Sequence, residues 1–219
     1  MIVAIDGPAG AGKSTVSQRL AQRLGFTRVD TGALYRTVAL AAVRAGLTGE
    51  GPELDALLRR IDLDVAPDGE VKLDGVAVGD SIRTPEISAA SSKFAAFPSV
   101  RAALLELQRT LGRRRDSVLD GRDIGTVVFP QAEAKIYLVA SAQERARRRL
   151  ADLQAQGITA DLEQVQAEIE ARDHADSTRA VAPLKKAQDA IQVDATRLSL
   201  DQVVHVCALI VEAARKESQ

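Results

Sequence analysis

Ile2-Val3-Ala4-Ile5 is a short unbroken apolar run that leads into a glycine-rich turn, and beyond the turn Val16, Leu20 and Leu24 recur four residues apart. That order predicts a buried strand, a loop and an amphipathic helix. Gly25 stops the helix, residues 27–29 predict a second short strand, and Asp30 or Thr31 caps a second helix whose stripe holds Leu34, Val38, Ala41 and Ala45 before Gly46. Residues 117–119, 135–139 and 190–193 are further apolar or β-branched runs, with helical segments between or after them. Ser141 with Glu144, Asp161 with Gln164 and Ser199 with Gln202 have the spacing of capping boxes or near variants, each at a helix start. Strands alternating with helices predict an α/β fold built on a parallel sheet covered on both faces.

Two stretches break the alternation. Between residues 48 and 97, Ile61, Leu63 and Val65, then Val71 and Leu73, then Val76 and Val78 alternate with polar residues around the turn signals Pro67-Asp68-Gly69 and Asp74-Gly75. A small antiparallel β meander inserted in the α/β core is expected there. Residues 141–182 form a long, charged, helical stretch broken at Gly157. With no repeats and no low-complexity linkers, the chain reads as one core carrying two excursions.

Charge sharpens this picture. The 219 residues are 46% hydrophobic and 27% charged, with 29 basic and 30 acidic side chains, enough for one well-filled domain. Of the basic residues 22 are Arg and only 7 Lys, and Arg is the cation that binds phosphate and carboxylate oxygens bidentately. A surface built for nucleic acid would carry a net basic excess, which is absent, so any anion site is local. The lone Cys207 cannot form an intrachain disulfide, and no apolar run approaches the roughly 18 residues of a membrane span. A cytoplasmic protein, not bound to membrane, is expected.

The turn after the first strand is Gly7-Pro8-Ala9-Gly10-Ala11-Gly12-Lys13-Ser14, followed by Thr15, which fits G-x-x-x-x-G-K-[ST] in the strand-to-helix context that the motif requires. Glycines let backbone N–H groups converge on phosphate oxygens, the helix N-terminus adds partial positive charge, Lys13 reaches the β and γ phosphates, and Ser14 ligates Mg²⁺. A GTPase would need an Asn-Lys-x-Asp motif, and the chain has no Asn. A motor or transporter ATPase would be longer, with further nucleotide motifs. A small phosphotransferase remains, needing an acceptor pocket and a cover against water, and the two excursions are placed to supply them.

In this setting the sequence resembles bacterial cytidylate kinase along essentially its whole length. The resemblance is carried by residues 5–15 around the phosphate loop, Asp30-Thr31-Gly32-Ala33-Leu34-Tyr35-Arg36, Ile82-Arg83-Thr84, Ala95-Ala96-Phe97-Pro98 with Val100-Arg101, Asp120-Gly121-Arg122-Asp123 continuing through Pro130, and Arg179-Ala180-Val181-Ala182-Pro183-Leu184. It implies a monomeric nucleoside monophosphate kinase that uses ATP and Mg²⁺ to phosphorylate CMP and dCMP. The implied fold is a five-stranded parallel P-loop core, with residues 48–97 as the acceptor-binding insertion and 141–182 as the lid. By similarity, Arg36 and Arg122 hold the acceptor phosphate with Thr31 at the sugar or phosphate. Ser92, Arg101 and Asp123 read the cytosine ring, and Asp176 with Arg179 contacts the acceptor sugar and the transferring phosphate. Thr31 stands where the family commonly has Ser, and Ala175 where it often has Arg. The alternatives are a P-loop kinase for another small acceptor, such as UMP or a sugar alcohol, and a non-catalytic nucleotide-binding regulator.

Elementary chemistry runs parallel to the resemblance. Phosphoryl transfer asks a protein mainly for cations around a loose transition state. A carboxylate such as Asp123 accepts from the exocyclic amine of cytosine and repels the carbonyl of uracil, worth about 1 to 3 kcal/mol. Arg172, Asp176 and Arg179 lie at i, i+4 and i+7, one helix face, which brings two cations toward the phosphates with a carboxylate between them. Asp120 either binds Mg²⁺ through water or orders the Arg122 loop. Arg145, Arg148 and Arg149 share a face and either contact ATP or solvate their helix. Arg113, Arg114 and Arg115 close a helix end, where cations complement the macrodipole. His174 and His205 read as surface residues, and Cys207 as core on a stripe with Leu200, Val203, Ile210 and Ala214.

Overall fold

In the computed structural model, which describes residues 1–66, 69–155 and 157–217, β1 (Ile2–Asp6) lies at the centre of a five-stranded sheet. Its neighbours are β6 (Ser117–Gly121) and β7 (Ala134–Val139), and β2 (Thr27–Asp30) and β8 (Ile191–Asp194) form the edges. All four pairings are parallel, as the alternation predicts. Because side chains alternate along a strand, Val3 and Ile5 face one layer and Ala4 the other. The first layer holds α1 (Lys13–Leu24) and α8 (Leu200–Glu217), packed on Val118, Ile136 and Val193. The second holds α2 (Thr31–Arg44) and α5 (Pro98–Arg113), packed on Val29 and Leu119. Cys207 is fully buried in the first layer beside Val203, with Leu200, Ile210 and Ala214 half-buried around it, and burial pushes its thiol up to about 12.

Strand ends matter most for the site. In register, Ile5 pairs with Asp120, Asp6 with Gly121 and Asp30 with Asp120. Three aspartates thus reach the carboxyl edge of adjacent strands, beside the loop that leaves β1 between two neighbours, where open α/β sheets bind ligands. The expected strand over 117–119 runs two residues further, so Asp120 and Gly121 belong to β6, and the expected strand over 190–193 is shifted by one to Ile191–Asp194.

The first excursion is more helical than the alternation predicts. Its meander is present as β3 (Leu63–Val65), β4 (Val71–Leu73) and β5 (Val76–Ala77), antiparallel in that order. The turn expected at Pro67-Asp68 lies outside the described residues. Around the meander stand α3 (Pro52–Arg60) and α4 (Pro85–Phe94), and Ile61 caps the end of α3 instead of starting a strand. Both helices begin with proline at the first turn, and Thr84 caps α4 by accepting from Ile87 N–H, signals that the strand-like alternation masked. The second excursion is a helical pair, α6 (Ala142–Ala155) and α7 (Leu162–Thr178), joined by a small core of Ala146, Leu153, Val165 and Ile169. The expected caps form: Asp30 on Ala33, Ser141 on Glu144, Asp161 on Gln164, and a reciprocal box between Ser199 and Gln202.

Gly7 is where the chain leaves the sheet. A Cβ there would lie 2.0 Å from the carbonyl oxygen of Leu138 in β7. Gly7→Ala is expected to lower stability by about 3 kcal/mol in urea unfolding, because backbone and not a flexible side chain blocks the methyl; an unchanged midpoint would contradict this packing.

Candidate active site

The phosphate loop and the ends of β2 and β6 open onto one cavity of about 480 Å³. Ala9, Gly10, Gly12, Lys13, Ser14 and Thr15 line it. Gly7, Pro8 and Ala11 do not: Gly7 abuts Leu138, Ala11 is buried in the core, and the Pro8 carbonyl accepts from Lys13 Nζ at 2.6 Å. Gly10 and Gly12 take left-handed conformations with φ of 73° and 92°, which glycine adopts without strain. Burial and the adjacent Arg122 push the Lys13 ammonium well below its ordinary range, as expected of a cation waiting for an anion.

Beside the loop, Asp120 accepts from the hydroxyls of Ser14 at 3.1 Å and Ser17 at 2.6 Å. Burial raises its pKa, the nearby Asp30 adds to this, and Arg28 opposes it from 3.3 Å. One hydroxyl and one carboxylate are hard oxygen donors of the kind Mg²⁺ takes together with phosphate and water. Among the described residues no group of three or more His, Cys, Asp or Glu side chains makes a cage for a metal by itself.

Asp30 does two jobs. Its Oδ1 caps α2, while its Oδ2 takes Arg28 at 3.1 Å and Arg36 at 3.3 Å. Burial raises its pKa, but Arg36 and Arg28 outweigh that and hold the carboxyl low. Arg36 is thereby aimed along the cavity wall. Thr31 is buried at the same end, its hydroxyl donating to the Asp120 carbonyl at 2.7 Å.

At the far end, Asp123 and Arg101 form a buried ion pair with side chains only 6% and 7% exposed, and Arg179 Nη2 stands 3.6 Å from the other Asp123 oxygen. Tyr35 lies with its ring centroid 5.5 Å from the Arg101 guanidinium carbon. Ser92 also faces the cavity, its hydroxyl bonded to the Ser88 carbonyl at 3.3 Å. Removing one partner of such a buried pair strands the other charge, at a cost of about 3 to 5 kcal/mol.

The second excursion closes over the cavity, with two departures from the expected helix face. Helix α7 ends at Thr178, and Arg179 follows it with ψ of 143°, so Arg179 does not share the face of Arg172 and Asp176. The hydroxyls of Ser177 and Thr178 bond back to the His174 carbonyl, at 3.0 and 2.7 Å, and compete with continuation of the helix. Arg179 instead folds back, its Nε donating to the Ala182 carbonyl at 2.7 Å. The second departure is that Asp176 sits between Arg122, at 2.7 Å, and Arg179, at 3.6 Å, not between Arg172 and Arg179. Burial raises its pKa, but Arg122 outweighs it and holds the carboxyl below its ordinary range.

Arg172, unlike Arg36, Arg101, Arg122 and Arg179, forms no ion pair among the described residues. Its Nε is buried without a hydrogen-bond partner, as are nitrogens of Arg36, Arg101 and Arg179, and burial together with Arg122 pushes its pKa down to about 10.

Neither expectation for Arg145 holds. Its side chain is buried against the phosphate loop, while Arg148, on the same face, lines the cavity and donates to Glu144 and to the Ala195 carbonyl. Arg149 also lines the cavity. Arg113 and Arg114 are structural as expected, over the Phe129 ring and 3.5 Å from Asp64 respectively, and His174 and His205 are exposed.

Two functional residues escaped the sequence reading. Arg28 ties Ser17 and Asp120 to Asp30. Asp6, 5% exposed, accepts from the N–H groups of Ile124 and Gly125 at 2.8 and 2.7 Å, holding the turn that follows Asp123. Its signal was a carboxylate at the end of an otherwise apolar strand. Burial raises its pKa to about 6, in spite of the two amides.

The model of the cytidylate kinase family matches residues 3–215. Among curated proteins, the cytidylate kinase of Syntrophotalea carbinolica is 52% identical over 93% of this chain and 88% of that protein. That of Pasteurella multocida is 48% identical over 93% of this chain and 92% of that protein. Among solved structures, an uncharacterized protein from Eubacterium ventriosum aligns with a TM-score of 0.52 at 11% identity, covering 98% of both chains. A shikimate kinase from Bacteroides thetaiotaomicron aligns with a TM-score of 0.50 at 15% identity, covering 97% of this chain and 98% of that one. The two structures show likeness of fold alone.

The Asp6 carboxyl sets a pH dependence. The unfolded chain releases this proton near 3.8 and the folded protein holds it to about 6, so the unfolded state binds fewer protons between these values. Stability is therefore expected to fall as pH rises from about 4 to 6, by about 3 kcal/mol from this group. Asp6→Asn, followed by urea unfolding across that range, should remove this component; an unchanged slope would mean that Asp6 does not titrate there.

Proposed function

The chain belongs to the cytidylate kinase family and phosphorylates CMP, and we propose that it does so by in-line transfer of the γ-phosphoryl group of ATP, accepting dCMP as well as CMP. The observation that carries this reading is the unpartnered, buried Nε of Arg172 in a cavity that also gathers Lys13, Arg36, Arg122 and Arg179. Arg36, Arg122 and Arg179 have carboxylate partners, but Arg172 and Lys13 have none within ion-pair distance among the described residues, and phosphates would complete them.

In this reading Lys13 and the loop amides hold the donor phosphates, supported by the depressed Lys13 pKa. Arg36 and Arg122 hold the acceptor phosphate, each kept in place by a carboxylate, Asp30 and Asp176. Thr31 and Asp176 flank the acceptor sugar, and Ser92, Arg101 and Asp123 meet the base. An acceptor-phosphate oxygen forms a bond to the γ-phosphorus as the bond to the β–γ bridging oxygen breaks, leaving ADP and CDP. Arg122, Arg172 and Arg179 stabilise the charge on the transferring group. Ser14 and Asp120 would hold Mg²⁺, which would offset negative charge on the phosphates. Closure of α6 and α7 excludes water that would otherwise accept the phosphoryl group. The protein is taken to act as a monomer in the cytoplasm on small nucleotides, not on nucleic acid polymers. Among the described residues no helix is long and apolar enough to cross a membrane.

Incubation with Mg-ATP and CMP, dCMP, UMP, AMP or GMP, followed by ADP release, tests this. Turnover with CMP and dCMP is expected, and a preference for AMP or GMP would overturn the base assignment. Asp123→Asn presents an amide donor where the carboxylate stood. It should reduce the CMP over UMP ratio of kcat/KM by about tenfold to a hundredfold with little change in the KM for ATP. Equal losses toward both acceptors and ATP would give Asp123 a structural role.

A further inference from the structure

We propose that Asp173 and Arg145 are positioning residues, which grip one residue of the phosphate loop, Ala9, and so fix where Arg172 and Asp176 stand over the cavity. The inference rests on the kinase reading above. The Ala9 N–H donates to Asp173 Oδ1 at 3.0 Å, and the Ala9 carbonyl accepts from Arg145 Nη1 at 2.9 Å. Both polar groups of a single loop residue are thus held by side chains from the second excursion, one from α7 and one from α6. The two side chains also pair with each other through Arg145 Nη1 and Asp173 Oδ2. Arg145 Nε donates to the Ala140 carbonyl at 3.0 Å, at the end of β7, so the guanidinium joins the sheet, the loop and α7 at one point. The side chain is 8% exposed, and a Cβ on Gly10 would lie 3.1 Å from its Cβ, so the loop passes tightly over it.

Asp173 follows Arg172 directly in α7 and precedes Asp176 by less than one turn. Because α7 is a rigid rod at this scale, the bond to Ala9 sets the reach of both neighbours toward the loop. The geometry also argues against a bare phosphate mimic. A carboxylate on a loop amide would compete with a nucleotide phosphate if it were free, but this one is neutralised by a buried Arg held by two carbonyls as well. A fixed pair of this kind orients the peptide and costs little reorganisation during transfer.

The test compares the unaltered enzyme with Asp173→Ala, Asp173→Asn and Arg145→Lys in the CMP-dependent ADP-release assay, together with thermal midpoints and amide exchange of Ala9 by NMR. Positioning predicts that Asp173→Ala lowers kcat by about tenfold to a hundredfold, with the KM for CMP changed less than about twofold. Asn keeps the acceptor for the Ala9 N–H and should recover part of the loss. Arg145→Lys cannot reach three acceptors at once and should resemble Asp173→Ala. In the unliganded protein, Ala9 exchange should quicken at least about tenfold in Asp173→Ala, while core amides stay protected. That readout is independent of acceptor identity, so failure of the unaltered enzyme to use CMP would sink the kinase reading and leave the grip itself still measured. Unchanged kcat and exchange would overturn the proposal, as would tighter ATP binding in Asp173→Ala, the mark of a competing carboxylate. Losses of kcat that merely track a lowered thermal midpoint and general loss of amide protection would overturn it too.

Discussion

Taking a charge out of water is expensive unless an opposite charge or a hydrogen-bond partner replaces the lost hydration. This constraint organises the cavity. Four aspartates, Asp30 and Asp120 on strands, Asp123 in the turn after β6 and Asp176 on α7, meet arginines around the cavity. Asp30 answers Arg28 and Arg36, Asp123 answers Arg101 and Arg179, and Asp176 answers Arg122 and Arg179. The pairs Asp176–Arg122 and Arg179–Asp123 join segments far apart in the chain, so they also fasten the second excursion to the end of β6. Arg172 lies outside that reciprocity, with no carboxylate in ion-pair reach among the described residues.

The carboxylates around the site divide into two kinds. Asp123 and Asp176 have both oxygens engaged by guanidinium groups, so they orient cations. Asp6 is surrounded mainly by backbone N–H groups, and its burial outweighs them. The difference lies in the partners: Asp6 meets the amides of the turn after β6, whereas Asp123 and Asp176 meet guanidinium groups.

How much of this was legible beforehand depended on range. The sheet, its helices and the caps at Asp30, Ser141, Asp161 and Ser199 follow from local periodicity and capping chemistry, and they formed as expected. The phosphate loop was legible because its motif is contiguous. By contrast α3 and α4 were hidden by alternation in the meander between them, although Pro52 and Thr84-Pro85 carried start signals. Arg179 leaves the helical face because α7 ends at Thr178, a boundary that a count of i+7 ignores. Asp6, Arg28 and Arg145 could not be found from spacing, since their partners lie 118, 92 and 136 residues away. Resemblance supplied roles for Arg36, Ser92, Arg101 and Asp123, and all four line the one cavity.

One buried atom on the opposite face of the sheet has a practical meaning. Cys207 is the only cysteine, fully enclosed between α8 and the strands, with a thiol that ionises only near 12. A thiol reagent meets neither an accessible sulfur nor a reactive thiolate while that layer is closed. The chain therefore carries its own silent label, one that speaks only when the layer of α1 and α8 comes apart from the sheet.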